Sequence, residues 1–450
     1  MEQYRNACLC EGASPSPAQS SRVRRAFAGA VHLGTHNGVL AIAGQGFVSG
    51  TNFLTGVIVG RVCSKEQYGL YFLGFTLIVI LIELQNSLIS TPYVVFNPRL
   101  DVAEKTRYAG STLVHQLALS WVAVLGLMLA GQVAASGVGP EGLAPVLWTL
   151  ALAITFVLLR DFVRRYCFGN LRMMTALVFD AGIACVQISA LLALAHFGLL
   201  TASHAYWAVG AACAGAVAVW FAVNRRLFSL GVSRAVEDFR GNWSFGKWVF
   251  ASALLWGVSM NLYPWILTTF RGPAEAGVLA ACLGICALGN TVLMGAQNFV
   301  FAKISTVYAE GGVKPLRSFM WFASLFFGVP MACFCAALWF FGDPLIVLLY
   351  GEKYAGNGLV VFILSMHLFA LAMAFPFSRA LFAIDRADLD FAINFIALFV
   401  LLSFGIWMVR AYGSLGAALG LFASNTAAFI ARSATFLYCS RHALAKEQAL

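Results

Sequence analysis

Charged and amide side chains are scarce in this chain, and several lie inside long apolar runs, where their type and spacing restrict the chemistry open to them. Glu83 lies within the apolar run 69–91. A carboxylate at mid-membrane depth costs about 2.5–3.5 kcal/mol on insertion scales, so it is kept for a partner or a purpose. It either carries a proton or pairs with a cation. Asp180, near the start of a later run, joins such ion coupling, or simply caps its helix or pairs with Arg172. Gln45, Ser49, Asn52 and Gly56 share one helical face, apart from Phe47, Leu54 and Ile58. Thr76, Glu83, Asn86 and Ser90 make a second stripe, and Asn290 with Gln297 a third. Singly, such residues join helix to helix for about 0.6–2 kcal/mol each. Taken as stripes they outline a hydrophilic cavity. Arg160, Lys303 and Arg379 end runs on one face, where they set topology or capture a phosphate-bearing substrate by charge-assisted hydrogen bonds. Arg61 and Arg271 end runs on the other face, snorkelling to headgroups or receiving the same anionic group.

The elements that position these groups follow from composition. The 450 residues are 60% hydrophobic and 11% charged, with a mean hydropathy of +0.81, which is more apolar surface than a soluble core of this length hides. The fold class is therefore all-α integral membrane, with about twelve transmembrane helices. Spans are expected near 39–60, 69–91, 110–135, 143–160, 174–197, 202–224, 246–270, 276–302, 318–341, 357–379, 391–409 and 413–438. The continuous apolar runs exclude a β-barrel, whose segments alternate. Under this scheme 24 of the 29 Lys and Arg fall on one side, and only Arg61, Lys65, Arg271, Lys353 and Arg410 on the other. The positive-inside rule makes the basic side cytoplasmic and puts both termini there. The net charge of +10 is thereby a topology signal, and nucleic acid is excluded as a partner.

Residues 1–34 are polar and read as a cytoplasmic tail, disordered and then interfacial at Arg22, Arg24 and Arg25. An N-terminal lobe of six helices spans 35–224, a cytoplasmic linker 225–245, a C-terminal lobe of six helices 246–440 and a second tail 441–450. Internal similarity supports the division. Phe168-x3-Arg172-x7-Asp180 is echoed by Phe382-x3-Arg386-x7-Asn394, and Asn52, Arg61 and Gly69 by Asn261, Arg271 and Gly277. Six spans per half give parallel repeats that rock about a central cavity. The eleven cysteines are scattered as small hydrophobes, and Cys8-x-Cys10 lacks the second half of a zinc site, so no metal and no cofactor are expected. No nucleophile, base and orienting group converge, and the longest external connection, Gly342 to Gly356, is short for a membrane enzyme. His115 and His367 read as packed, hydrogen-bonded core histidines.

The stretch Gly44–Pro92, centred on RVCSKEQYGLY (Arg61–Tyr71), resembles the first helical hairpin of bacterial polysaccharide, or O-antigen, flippases of the Wzx type. LLRDFVRRYCFGNLR (Leu158–Arg172) is similar to the segment joining that family's fourth and fifth helices. The resemblance implies the multidrug/oligosaccharidyl-lipid/polysaccharide exporter (MOP) superfamily, and a flippase carrying an undecaprenyl-diphosphate-linked oligosaccharide across the bacterial inner membrane by alternating access. It implies membrane lipids, a polysaccharide polymerase and chain-length machinery as partners. The expected substrate contacts are Gln45, Asn52, Arg61, Glu83, Asn86, Arg160, Asn261, Arg271, Asn290, Gln297, Lys303 and Arg379, with Glu83 and Asp180 for proton or ion coupling. The alternative is an H+- or Na+-coupled multidrug exporter of the same superfamily, although the first span lacks the interior acid of that branch.

Overall fold

A computed structural model describes residue 40 and residues 43–229 and 231–449; the expected tail over 1–34 lies outside them. Residues 43–62 form α1. Helix α2 (Lys65–Gln85) passes through a π turn (Asn86–Ser90) into α3 (Thr91–Phe96), so these three pieces make one span. There follow α4 (Val102–Ala135), α5 (Leu143–Gly169), α6 (Met173–His196), α7 (Ala202–Asn224), α8 (Val232–Arg271), α9 (Pro273–Gly311), α10 (Val313–Tyr350), α11 (Gly358–Ala383) and α12 (Ala387–Ala449). Among the described residues nine helices are long and apolar enough to cross a membrane. The last of these is a double rod, and α1 and α8 complete about twelve transmembrane helices in two parallel six-helix lobes around a central cavity.

Local chemistry sets the helix ends. Ser64, Asp101 and Thr201 accept a hydrogen bond from the backbone N–H three residues on, opening α2, α4 and α7. Gly413, with φ 59° and ψ −130°, breaks α12 into two spans. The carbonyls of Arg410 and Ala411, freed by that break, accept from the Arg271 guanidinium at 2.6 and 2.8 Å. The amide of Ser414 on the far side donates to Glu275 at 2.8 Å. A cation thus closes a helix C-terminus and an anion an N-terminus, as the helix dipole favours.

The two internal echoes become geometry. Leu171 and Asp385, at matching places in the two Phe-x3-Arg stretches, both adopt left-handed backbone, with φ 55° and 56°. In each turn the following arginine's amide donates to the carbonyl five residues back, at 2.8 and 2.9 Å. Gly69 and Gly277 meet across the lobe boundary. A Cβ on Gly69 would strike the carbonyl of Pro273, and one on Gly277 the carbonyl of Lys65, in each case the residue four earlier in the partner helix. The backbones of α2 and α9 therefore touch only because both positions lack a side chain.

Two connections differ from expectation. The polar stretch after the sixth span is mostly helical, because α8 begins at Val232 and its first turns dock on α4. Tyr108 donates to Asn242 at 2.8 Å, His115 bonds the Ala235 carbonyl at 2.6 Å and the Ser229 amide donates to Thr106 at 3.1 Å. The connection expected over Gly342–Gly356 shortens to a 3-10 turn at Glu352–Tyr354, since α10 runs on to Tyr350. Hydropathy locates the lipid-crossing part of a helix, and packing carries the helix beyond it. Outward faces meet lipid: on α10, Trp321 and Trp339 are 76% and 58% exposed near its two ends.

Candidate functional site

Within the N-terminal lobe, α1, α2, α5, α6 and α7 enclose a cavity of about 110 Å³ lined by Asn52, Arg160, Asp161, Arg164, Gln187 and Tyr206 among apolar neighbours. Its charged wall comes from the α5–α6 hairpin. Asp180 on α6 is 1% exposed and meets two guanidiniums from α5, Arg164 at 3.0 Å and Arg160 at 3.4 Å. Arg164 also donates to Gln45 of α1 at 2.8 Å, and its guanidinium lies 5.1 Å from the Phe168 ring. One turn away Asp161 pairs with Arg165 at 3.6 Å and accepts a 3.5 Å bond from Gln85. Gln187 donates to Thr55 at 2.8 Å, tying α6 to α1. Two arginines thus share one buried carboxylate beside this cavity.

The expected Asp180–Arg172 pair is not formed. Arg172 is exposed at the hairpin turn, two helical turns and about 12 Å along α6 from Asp180. Positions mirrored across the turn at Asn170 share a depth instead, which brings Arg160 and Arg164 to Asp180. Neither Arg164 nor Gln187 is among the contacts expected from sequence. Reflecting each polar residue through the turn would have found Arg164.

Of the other candidates, Gln45 and Asn52 belong to this site, so the α1 stripe faces a cavity inside one lobe. Glu83 is half-buried on α2, within electrostatic reach of Arg165 and Asp161. Asn86 lies one turn on in the π segment, its Oδ1 buried without a protein partner. Thr76, on the same stripe, accepts from the Trp265 indole at 2.9 Å across the lobe boundary. In the C-terminal lobe Asn261 bonds back to the Gly257 carbonyl at 2.8 Å, Asn290 and Gln297 are half-buried on α9, and Lys303 is exposed. Arg379 lies 5.0–5.4 Å from the rings of Phe301, Phe375 and Phe382. Arg379 therefore packs on Phe301, two residues from Lys303 on α9, while Arg160 belongs to the Asp180 centre. A second buried pair, Arg432–Asp390 at 2.7 Å, with Arg432 also donating to Asn394 at 2.8 Å, holds the two halves of α12 together.

The lobes meet most tightly at the end that carries the α1–α2, α8–α9 and α10–α11 connections. Arg61 crosses the boundary to the carbonyls of Leu348 and Leu349, which end α10. Lys353 donates to the carbonyls of Arg61, at 3.1 Å, and Cys63. Burial pulls the Lys353 ammonium below the usual lysine range and pushes the Cys63 thiol up to about 11. Tyr68 packs against Tyr350 and Tyr354 with ring centroids 5.9 and 6.5 Å apart. Together with the Gly69–Gly277 contact these residues form a continuous seal.

Residues 35–308 match the family described as polysaccharide biosynthesis protein. The capsular polysaccharide biosynthesis protein CapF of Staphylococcus aureus is 24% identical over 168 residues, 37% of this chain and 42% of the relative's length. The match therefore spans under half of that protein. An inward-facing multidrug resistance MATE family transporter of the MOP superfamily superposes with a TM-score of 0.72 at 16% identity, covering 89% of this chain and 95% of the other. An outward-facing transporter of the same family gives 0.59 at 15% identity, over 92% and 95%. These likenesses carry the fold.

Proposed function

The chain belongs to the polysaccharide biosynthesis protein family, a membrane transporter of MOP fold, and from that premise we propose that it flips a polyprenyl-diphosphate-linked oligosaccharide between membrane leaflets. In this reading the basic face is cytoplasmic, the membrane is the bacterial inner membrane, and the lobes are bodies of about 35–224 and 246–440 joined by 225–245. The observation that carries it is the buried centre in which Arg160 and Arg164 share Asp180. Arg160, Arg164 and Arg165 against Asp161 and Asp180 leave one positive charge in excess at a membrane-embedded cavity wall, which suits a diphosphate arriving with its glycan. Gln45 and Asn52 offer amides to the same group, while Lys303 and Arg379 draw it in from the cytoplasmic mouth. The polyprenyl tail stays in lipid outside the lobes. In this reading the contacts through Gly69, Gly277, Tyr68 and Lys353 keep the external side shut. Rocking of the lobes opens it, and the substrate leaves toward a polymerase and chain-length machinery. No bond is made or broken in the substrate.

Deletion of the gene tests the proposal: the lipid-linked glycan should accumulate in the inner leaflet, and an unchanged distribution overturns it. Glu83, half-buried on α2, favours a second reading as an ion-coupled drug exporter. That reading requires Glu83→Gln to abolish H+- or Na+-driven dye efflux, and full efflux in the variant rejects it.

A further inference from the structure

On the basic face, at the other end of the molecule from the seal, a cleft of about 360 Å³ lies between the α3–α4 corner and the first turns of α8. Those turns of α8 have three distinct faces. Ala235 and Asn242, seven residues apart, dock on α4 through His115 and Tyr108. Val236, Phe239 and Trp243 form an exposed apolar stripe, and the Phe239 ring packs on His115 with centroids 5.4 Å apart. Arg234, Asp238 and Gly241 share the opposite side of the helix and line the cleft with Glu237, while Arg99 and Glu104 line it from the α3–α4 side. His115 is three turns, about 16 Å, further along α4 than Glu104. The apolar stripe therefore looks into the membrane, and the charged stripe looks away from it.

Two residues of the cleft wall carry a buried atom with no protein partner. Asn242 is 2% exposed; its Oδ1 accepts the Tyr108 hydroxyl at 2.8 Å, and its Nδ2 is left as a donor with nothing to meet it. One turn back on the same helix, the Asp238 Oδ2 is an acceptor in the same state. Buried polar atoms are normally satisfied, so this pair marks a place that a ligand completes. Among the described residues no two of Arg99, Glu104, Arg234, Glu237 and Asp238 come within ion-pair distance of each other, so the charged groups of the wall are not spent on one another.

A ligand that completes the wall offers an acceptor to Asn242 and a donor to Asp238. A sugar does both with neutral hydroxyls, each of which donates and accepts, while its C–H face rests on Phe96 and Leu100. We propose that this cleft is an entry-side glycan site, which docks a short stretch of the oligosaccharide while the diphosphate goes to the Arg160–Arg164 centre. The inference rests on the glycolipid-transport reading above, and it gives the glycan its own place on the side from which that reading has it arrive. A phospholipid headgroup is the competing occupant, and the cleft opens on the side of α8 turned away from lipid.

The test uses the full chain in nanodiscs. The probe is the free oligosaccharide released by mild acid from the lipid-linked pool of the host strain, so that neither diphosphate nor polyprenyl tail contributes, and binding is followed by saturation-transfer NMR. The wild-type protein should saturate the ring protons of the probe, and dioctanoyl phosphatidylethanolamine should not displace it. Gly241→Phe is the blocking variant: a Cβ at Gly241 meets no protein atom within 4 Å, so the new side chain grows into the cleft, and binding should weaken about tenfold or more. Asp238→Asn alters one acceptor and hardly any volume, and should weaken binding about tenfold as well. Both variants are checked for wild-type thermal unfolding, and Asp238→Asn carries the test if Gly241→Phe does not fold. No saturation of the probe, wild-type saturation in the folded variants, or displacement by the phosphatidylethanolamine overturns the inference. Transport of the intact lipid-linked glycan is measured separately on the same protein. Transport without binding of the free glycan sinks the entry site alone, and binding without transport sinks the glycolipid reading alone.

Discussion

Asp180 has two arginines for one carboxylate, and removing either kind of partner has a different consequence. Asp180→Asn leaves Arg160 and Arg164 facing each other without their shared anion, and this should cost about 3–5 kcal/mol of stability. Arg164→Ala leaves Asp180 still paired with Arg160 and should cost less, while losing the bond to Gln45. Denaturant titration of the purified protein, run as a double-mutant cycle on residues 164 and 180, should give a coupling above about 1 kcal/mol; additivity would mean that the contact is idle. The residues of this centre were only partly legible. Gln45, Asn52, Arg160 and Asp180 stand out because polar groups in apolar runs are few. Arg164 and Arg165 do not, because a basic residue near a helix end looks the same whether it marks topology or turns inward to an acid. That difference depends on which residue of the next helix shares its depth, a property of the hairpin and not of either helix.

Helices α2 and α9 meet through glycines, and α12 turns at one. Gly69→Val would force the two backbones apart at the seal, since even a single carbon there strikes the Pro273 carbonyl. Spin labels at Glu141 and Glu352, one on each lobe, should report a distance longer by several ångströms; an unchanged distance would show that the seal does not depend on this contact. Gly413→Ala places a side chain at φ 59°, ψ −130° beside the Glu275 carboxylate, and should cost about 1–3 kcal/mol by thermal unfolding in detergent. The spans themselves were readable to within a few residues wherever a helix is wholly apolar, as for α6 and α7. Ends were missed where a helix continues through polar sequence. The first turns of α8 carry Arg234, Glu237 and Asp238 and read as a connection, yet they are helical because Asn242 and the Ala235 carbonyl find partners on α4. The twin turns at Leu171 and Asp385 show the opposite case: a weak repeat in residue types preserved a full backbone conformation.

At the scale of the whole molecule, two lobes meet along a boundary where paired glycines, a tyrosine cluster and two basic residues pack at one end. Arg160, Arg164 and Arg165 gather with Asp161 and Asp180 at the cavity of the N-terminal lobe. The account requires a substrate whose anion reaches this centre. Its central claim is tested by reconstituting the protein in vesicles that hold a fluorescent polyprenyl-diphosphate oligosaccharide, and following quenching from outside by a membrane-impermeant reagent. The prediction is that wild-type protein moves the label across the bilayer and that the Arg160→Ala, Arg164→Ala double variant, checked to be folded, does not. If the wild-type vesicles leave the label where protein-free vesicles leave it, or if the double variant moves it equally fast, the account is wrong.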